Sequence, residues 1–262
     1  MTRFGFGTGF GLSDIFGGVA TEIFTANVAN NDGSSRLFQT DNTTIDPRAD
    51  FTASIWFKCV SFSGSPSVIG SADSQGNNWR AIYCQINTNG LLSAQVRNTA
   101  DQDFTLQSPP TLTTGVRYNI TWSHDYLGKE ITIYLNSVAL TPFTYTGALP
   151  ATSHAPNLTF GGRDFIGVQN GLDGTYFNGM LLEETVNQEN MDAIWNEGQP
   201  QCAMLLPSNI SSKAGLKGDF WPLENHDGFL NNETVGQFNG GVVTNVGSIP
   251  FTGTAQIECA GV

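Results

Sequence analysis

The chain has 262 residues, of which only 13% are charged, and its 23 acidic and 11 basic side chains give a formal net charge of −12 at pH 7. A role in coating nucleic acid is excluded, because that role needs basic residues that displace counterions from phosphates. Gly, Asn, Thr and Ser are abundant while Leu, Glu and Lys are sparse, a composition that favours strands joined by turns.

The length is sufficient for one all-β domain with extensions, held by its core without a disulfide or a metal. No stretch of about 18 apolar residues is present, so no membrane insertion is predicted. The first residues lack the charged-then-apolar layout of a secretory signal. The protein is therefore expected to act without a signal, unless a leader is missing.

Residues 1–18 form a segment with four Phe and six Gly and almost no charge. Its rings, which need cover from water, are Phe4, Phe6, Phe10 and Phe16. Glycine allows backbone shapes that other residues avoid, so the segment can lie along another surface. We expect this arm to bind identical subunits or another protein, with a mobile tail as the alternative.

From residue 51 onward, apolar and polar residues alternate with the period of a strand. Short strands at intervals of about ten residues indicate an antiparallel sandwich. Trp56 and Trp122 fall on the periodic apolar positions and are predicted to be core residues. The predicted strands cover residues 51–60, 79–86, 91–97, 117–123, 130–135, 157–162 and 176–185.

Residues 187–200 predict a short helix, with Asn187 as the N-cap and Gly198 followed by Pro200 at the end. Its apolar residues recur at positions i, i+3 and i+4, and Trp195 is expected to pin the helix to the sandwich.

The four cysteines are far apart in the sequence and form no CxxC pair, so their spacing does not predict a metal site. Cys59 and Cys84 lie on neighbouring predicted strands and have two alternatives. They either face one another or are small buried apolar side chains in a reducing compartment.

The block from Phe51 to Gly198 resembles the laminin-G/concanavalin A-like jelly-roll family. Its matching segments are FTASIWFK (51–58), GVRYNITWSHD (115–125), EITIYLNSVAL (130–140), LTFGGRD (158–164) and FNGMLLEETVNQENMDAIWNEG (177–198). The resemblance implies an all-β antiparallel jelly-roll sandwich with one short helix. Together with the composition of the first residues, it divides the chain into an N-terminal arm over residues 1–20, a jelly roll over 21–200 and a C-terminal extension over 201–262. The extension is expected to be partly strand and to pack on the jelly roll.

The extension adds a second resemblance. GLKGDFWPLE (215–224) and NNETVGQFNGGVVTN (231–245) are similar to segments that follow the helix in phage-encoded members of the family. This implies a virion location, with other virion proteins as partners.

This chain departs from the family pattern at one position. Many members carry an Asp after the final strand motif, where this chain has Leu181 and Leu182. A calcium site needs several converging oxygens, so no metal is assigned, although calcium stays an alternative through Asp125, Asp164 and Asp173.

No catalytic residue is assigned, and the protein is predicted not to be an enzyme. Glycoside hydrolysis needs two carboxylates flanking the sugar bond, whereas Glu183 and Glu184 are consecutive and point to opposite faces of a predicted strand. A nucleophile elbow and an HExxH helix are missing from the sequence. His124 falls in a predicted turn and is expected to be an ordinary surface residue.

Glycan binding needs only an aromatic platform and a few hydrogen-bonding groups on loops. The candidates are Trp79 with Arg80, after a polar loop, and Arg163 with Asp164, before a Gly-rich loop. Trp79 is alternatively a core residue. Two functions therefore stand beside the disfavoured hydrolase. The main prediction is a bacteriophage virion structural protein attached by its arm, and the alternative is a carbohydrate-binding module of a secreted or surface protein that binds host glycan.

Overall fold

The computed structural model describes residues 21–34, 37–40, 48–72, 82–149, 157–164, 168–200, 218–221, 224–225, 243–246 and 248–260. Its strands pair antiparallel throughout these residues. The strands are β1 (Thr21–Asp32), β2 (Leu37–Thr40), β3 (Phe51–Ser61), β4 (Ser67–Ala72), β5 (Ile82–Ile86), β6 (Leu92–Arg97), β7 (Asp103–Thr105), β8 (Arg117–Asp125), β9 (Glu130–Leu135), β10 (Val138–Ala139), β11 (Phe143–Thr144), β12 (Asn157–Phe160), β13 (Arg163–Asp164), β14 (Val168–Gln169), β15 (Asp173–Leu182), β16 (Gly218–Trp221), β17 (Glu224–Asn225), β18 (Val243–Val246) and β19 (Gly253–Ala260).

Two large sheets build the sandwich. A ten-stranded sheet runs in the order β10-β9-β8-β3-β15-β1-β17, with β11, β16 and β19 attached beside this path. A seven-stranded sheet has the order β18-β2-β12-β4-β5-β6-β7. The main core draws buried side chains from both sheets, so it lies between them. This arrangement confirms the predicted all-β antiparallel sandwich.

Strand β3 shows how alternation divides the two faces of the ten-stranded sheet. Phe51, Ile55 and Phe57 belong to the main core between the sheets. Trp56 belongs instead to a separate cluster, and its neighbour Lys58 is exposed. Successive side chains of a strand point to opposite faces. The face that carries Trp56 and Lys58 is called the outer face here.

Helix α1 (Gln188–Trp195) packs on this outer face. Asn187 caps it as predicted, because its side chain accepts a hydrogen bond from the backbone N–H of Asn190 at 3.0 Å. Met191 and Ile194 are buried against Met180 of β15. The helix ends one turn earlier than expected, because Asn196 takes the left-handed conformation and a short 3₁₀ turn (Asn196–Gly198) follows.

Strands from the last part of the chain join both sheets. β19 pairs with β1 along eight residues, from Thr21 opposite Ala260 to Val28 opposite Gly253. β16 pairs with β15, and β18 pairs with β2. Strands β16 to β19 therefore belong to the two sheets of the sandwich.

His124 is a correction to the sequence prediction. It is 1% exposed, not an ordinary surface residue, because β8 continues through Asp125 and the turn begins only afterwards. Its Nε2 lies 2.9 Å from the Tyr145 hydroxyl, and its ring packs edge-on against Phe51. Burial lowers the pKa of this imidazole to about 4, against the opposing effect of Asp50 and Asp125.

The structure decides between the two alternatives for the cysteines, and it corrects the predicted position of Glu183 and Glu184. Cys59 and Cys84 are free thiols buried in the main core, so they act as small apolar side chains. Burial raises the pKa of the Cys59 thiol to about 12 and also raises that of Cys84. β15 ends at Leu182, so Glu183 and Glu184 lie in the bend that follows and not in a strand.

Among the described residues, no helix has the length and apolar character needed to span a membrane.

Candidate functional site

A pocket of about 270 Å³ opens on the outer face of the ten-stranded sheet. It lies where β3, β8 and β15 meet the C-terminal strand β19. Its lining residues come from strands far apart in the sequence: Lys58, Gly115, Arg117, Thr175, Phe177, Thr254, Ala255 and Gln256.

Strand register explains why these side chains converge. Lys58 of β3 lies directly opposite Arg117 of β8 on one side and Thr175 of β15 on the other. Directly opposite residues of an antiparallel pair point to the same face. The three side chains therefore form a row across the outer face.

An aromatic cluster supports the row. Trp56 stacks on Trp195 of α1, with ring centroids 5.1 Å apart and planes inclined by 9°. Phe177, which lines the pocket, lies opposite Trp56 with a centroid distance of 6.3 Å. The guanidinium carbon of Arg117 lies 5.9 Å from the Trp56 ring centroid, within the range of a cation–π contact. The cluster holds Arg117 in position beside the pocket.

β19 provides the opposite wall through Thr254, Ala255 and Gln256. Gln256 is held by two hydrogen bonds. Its side-chain amide donates to the Thr25 hydroxyl at 2.6 Å, and its backbone carbonyl accepts from the Gln199 side chain at 3.0 Å. Gly253 begins the strand against the side chain of Thr175, so close that a Cβ would clash there. This close approach brings β19 to the edge of the pocket.

The pocket has a local positive charge in an acidic protein. Lys58 and Arg117 have no carboxylate within salt-bridge distance among the described residues. Burial lowers the pKa of Arg117 from its ordinary value. Thr175, Thr254 and Gln256 add neutral hydrogen-bonding groups.

The described lining residues include no carboxylate and no histidine, so they offer neither the paired acids of a glycosidase nor a general base. They do offer hydrogen-bond donors and two cations, while the one aromatic lining residue, Phe177, is almost fully buried. The arrangement is suited to holding a polar ligand.

The outer face of the seven-stranded sheet is a second polar surface. Tyr83, Gln95 and Thr105 lie opposite one another across β5, β6 and β7. Beside them Arg97 donates to both oxygens of Asp103, at 2.6 and 2.8 Å. That bidentate pair raises the pKa of Arg97 and satisfies its charge within the protein.

The structure places few of the residues selected from the sequence. Arg163 and Asp164 form β13, whose backbone pairs with Gln169 and Val168 of β14. The remaining candidates lie outside the described residues: Phe4, Phe6, Phe10, Phe16, Trp79 and Arg80. The pocket was not predicted from the sequence, and neither Lys58 nor Arg117 was among the candidate residues. Their convergence depends on strand order, which the sequence does not state.

For a metal, no group of three suitable side chains lies together in the described part of the chain. Asp125 accepts a hydrogen bond from the Gly128 backbone at 2.7 Å, and Asp173 begins β15 opposite Asp32.

Solved structures share this fold at low sequence identity. A native heptameric SAP-like pentraxin from Limulus polyphemus aligns with a TM-score of 0.50 and 12% identity, over 66% of this chain and 82% of that chain. The CBM40 of the Ruminococcus gnavus IT-sialidase, bound to α2,3 sialyllactose, aligns with a TM-score of 0.50 and 15% identity, over 65% and 97%. A protein of Bacteroides ovatus ATCC 8483, described as a "putative carbohydrate binding protein", aligns with a TM-score of 0.53 and 13% identity, over 87% of this chain and 61% of that chain.

No curated protein matches the sequence. A family model, in contrast, matches residues 32–189, which is more than half of the chain and includes strands of both sheets, from β2 to β15. The chain therefore belongs to the concanavalin A-like lectin/glucanases superfamily.

Proposed function

We propose that this protein is a lectin-like module that binds carbohydrate without cleaving it, and that the pocket between Lys58, Arg117 and β19 is its binding site. The observation that carries the proposal is the pocket itself. Polar side chains from four strands surround a volume of about 270 Å³ beside an aromatic cluster.

The chemistry of the pocket suits a sugar. A sugar ring presents hydroxyl groups that need donors and acceptors, and apolar C–H faces that pack on aromatic rings. Thr175, Thr254 and Gln256 supply the polar partners, whereas Phe177 is only 1% exposed and adds no open aromatic face. The volume is slightly below the range of about 300–1,000 Å³ that holds a drug-sized ligand. It therefore suits a single sugar residue of a longer glycan.

Proteins of the same fold support the proposal. One of the aligned domains holds sialyllactose, and another is described in terms of carbohydrate binding. Binding sites are grafted on folds, so these likenesses favour the class of ligand and leave the residues to the pocket geometry.

The pocket is preferred to the polar surface of the seven-stranded sheet because its charges are unsatisfied. Arg97 on that other surface is already paired with Asp103, and Gln95 is only 5% exposed. Lys58 and Arg117 have no such partner in the described residues. A ligand gains more from groups that have no protein partner to give up.

The lining residues of the pocket support binding without cleavage. A retaining glycosidase places two carboxylates about 5 to 5.5 Å apart on either side of the sugar bond. The described lining residues contain none. We therefore expect bound oligosaccharides to be recovered intact.

The test is a glycan-array screen of the full chain, followed by calorimetric titration of the best ligands against two matched variants. Thr254→Trp fills the rim of the pocket from an exposed position and should abolish binding. Thr105→Trp places the same side chain at an exposed position of the seven-stranded sheet and should leave binding unchanged.

If no glycan binds, the proposed function is wrong. If Thr105→Trp abolishes binding and Thr254→Trp does not, the function stands and the site belongs on the seven-stranded sheet. Chromatography of the ligand after incubation would reveal any cleavage, which would contradict the non-catalytic assignment.

The virion role predicted from the sequence stays a prediction. It depends on the arm over residues 1–20 and on the C-terminal extension, and the arm lies outside the described residues. A carbohydrate-binding module is compatible with a particle surface as well as with a secreted protein.

A further inference from the structure

Lys58 and Arg117 face each other across β3 and β8 as directly opposite residues. Like charges in that position destabilise an antiparallel pair. A chain with 11 basic and 23 acidic side chains has many acids with which to offset such a pair. In the described residues, nevertheless, none lies within salt-bridge distance of either cation.

Arg97 is an arginine whose charge is neutralised by acidic side chains of the protein itself. Its guanidinium bonds both oxygens of the cross-strand Asp103, with a second acid, Asp101, 4.0 Å away. Arg117 also lies in a strand, but the residue directly opposite it on the neighbouring strand is Lys58. The two arginines therefore differ in whether the fold neutralises them.

Arg117 is also positioned in advance. Its guanidinium lies over Trp56, whose ring is stacked on Trp195. A planar guanidinium held on an aromatic ring keeps free N–H donors at its edge, and those donors match a carboxylate or sulfate. A cation held in this way loses less conformational entropy when it binds an anion.

We infer that the pocket is selective for an acidic sugar residue, whose anionic group sits between Lys58 and Arg117 while its hydroxyl groups meet Thr175, Thr254 and Gln256. This inference rests on the proposed function and specifies the class of glycan. Carboxylated and sulfated sugars share the required chemistry, because both present a negative oxygen cluster on a sugar ring.

The experiment compares matched ligands on the full chain. Sialyllactose is titrated against its methyl ester, in which the carboxylate is neutral, and galactose 6-sulfate against galactose, with inorganic sulfate as the anion that has no sugar. We expect at least one acidic sugar to bind about tenfold or more tightly than its neutral counterpart, because a charge-assisted hydrogen bond contributes enough free energy for a factor of this size. The pair that shows the advantage tells whether the anion is carboxylate or sulfate. Added salt should reduce the advantage.

Variants locate the anion. Lys58→Gln and Arg117→Gln should each remove about tenfold of the affinity for the acidic sugar and leave the neutral sugar unchanged. Lys129→Gln is the matched control, because it removes the same charge from an exposed turn away from the lining residues. Arg117→Lys keeps the charge but lacks the planar fork of donors, so it should bind the acidic sugar more weakly than the unaltered protein and more tightly than Arg117→Gln. Lys58 is exposed, so its variant should fold even if the Arg117 variant does not.

Three results would overturn the inference. Neutral and acidic sugars that bind equally would reject acid selectivity and leave carbohydrate binding intact. Inorganic sulfate that binds as tightly as the acidic sugar would show a plain anion site. Equal losses in Lys58→Gln and Lys129→Gln would show a general effect of net charge. If no sugar binds at all, the proposed function falls together with the inference.

Discussion

Trp195 of α1 lies face to face with Trp56 of β3, with ring planes 9° apart. This contact fixes the helix to the outer face of the ten-stranded sheet, and it also supports the ring on which Arg117 rests. One aromatic pair thus links the helix to the wall of the pocket.

Replacing Trp195 with Ala should lower the free energy of unfolding by about 3 kcal/mol, near the lower end for losing a large aromatic side chain because Trp195 is only partly buried. Urea unfolding would measure the change. Leu127→Ala is the control, since Leu127 is 87% exposed and its loss should cost less than about 0.5 kcal/mol. A loss below about 1 kcal/mol for Trp195→Ala would mean that the helix is not held by this stack.

Stability should decrease in mild acid because of His124. Its pKa is about 4 in the folded protein against 6.5 for an ordinary histidine, so between these values the unfolded chain binds the proton more readily. The contribution is fully present above about pH 6.5, is lost as the pH falls toward 4, and amounts to about 3 kcal/mol.

The measurement is the free energy of unfolding at a series of pH values, compared with the double variant His124→Phe/Tyr145→Phe. Both members of the hydrogen bond are removed together, so that no buried partner is left unsatisfied. The difference between the two curves isolates the contribution of His124. Parallel curves across this range would contradict the assignment.

Gly161 and Gly64 give a matched pair of glycine replacements. Both have positive φ angles, +72° and +76°. A Cβ on Gly161 would enter the ring of Tyr176, whereas a Cβ on Gly64 would meet nothing within 4 Å. Gly64→Ala should cost about 1 kcal/mol through backbone strain alone. Gly161→Ala should cost about 3 kcal/mol, because overpacking is added to strain. Equal costs in thermal or urea unfolding would show that Tyr176 moves aside freely.

The thiols of Cys59 and Cys84 should be unreactive in the folded protein. Burial raises both pKa values, that of Cys59 to about 12, so little thiolate forms at pH 8. In a Cys202→Ser/Cys259→Ser background, a thiol reagent should titrate two groups only after denaturation. Rapid reaction of the native protein would show that the core around these residues opens.

The sequence predicted the elements better than their arrangement. Alternation located β3 and β9, and a capping Asn located the start of α1, because these signals are local. His124 was misassigned because the turn after β8 was placed two residues too early. The true turn ends at Lys129, a residue with positive φ.

The pocket depends on information that is not local. Lys58 and Arg117 converge through the register of β3 and β8, and Gln256 reaches them through a strand that pairs with the opposite end of the described chain. Strand alternation assigns each side chain to a face, but it does not say which strands are neighbours. The pocket therefore became visible only in the folded structure.

The most direct test of carbohydrate binding at the pocket is a crystal structure of the full chain with the tightest-binding oligosaccharide. We predict one sugar residue between Lys58, Arg117 and the β19 residues Thr254 and Gln256, with its acidic group toward the two cations. A sugar bound instead on the outer face of the seven-stranded sheet, near Tyr83 and Gln95, with this pocket holding only water, would contradict the account.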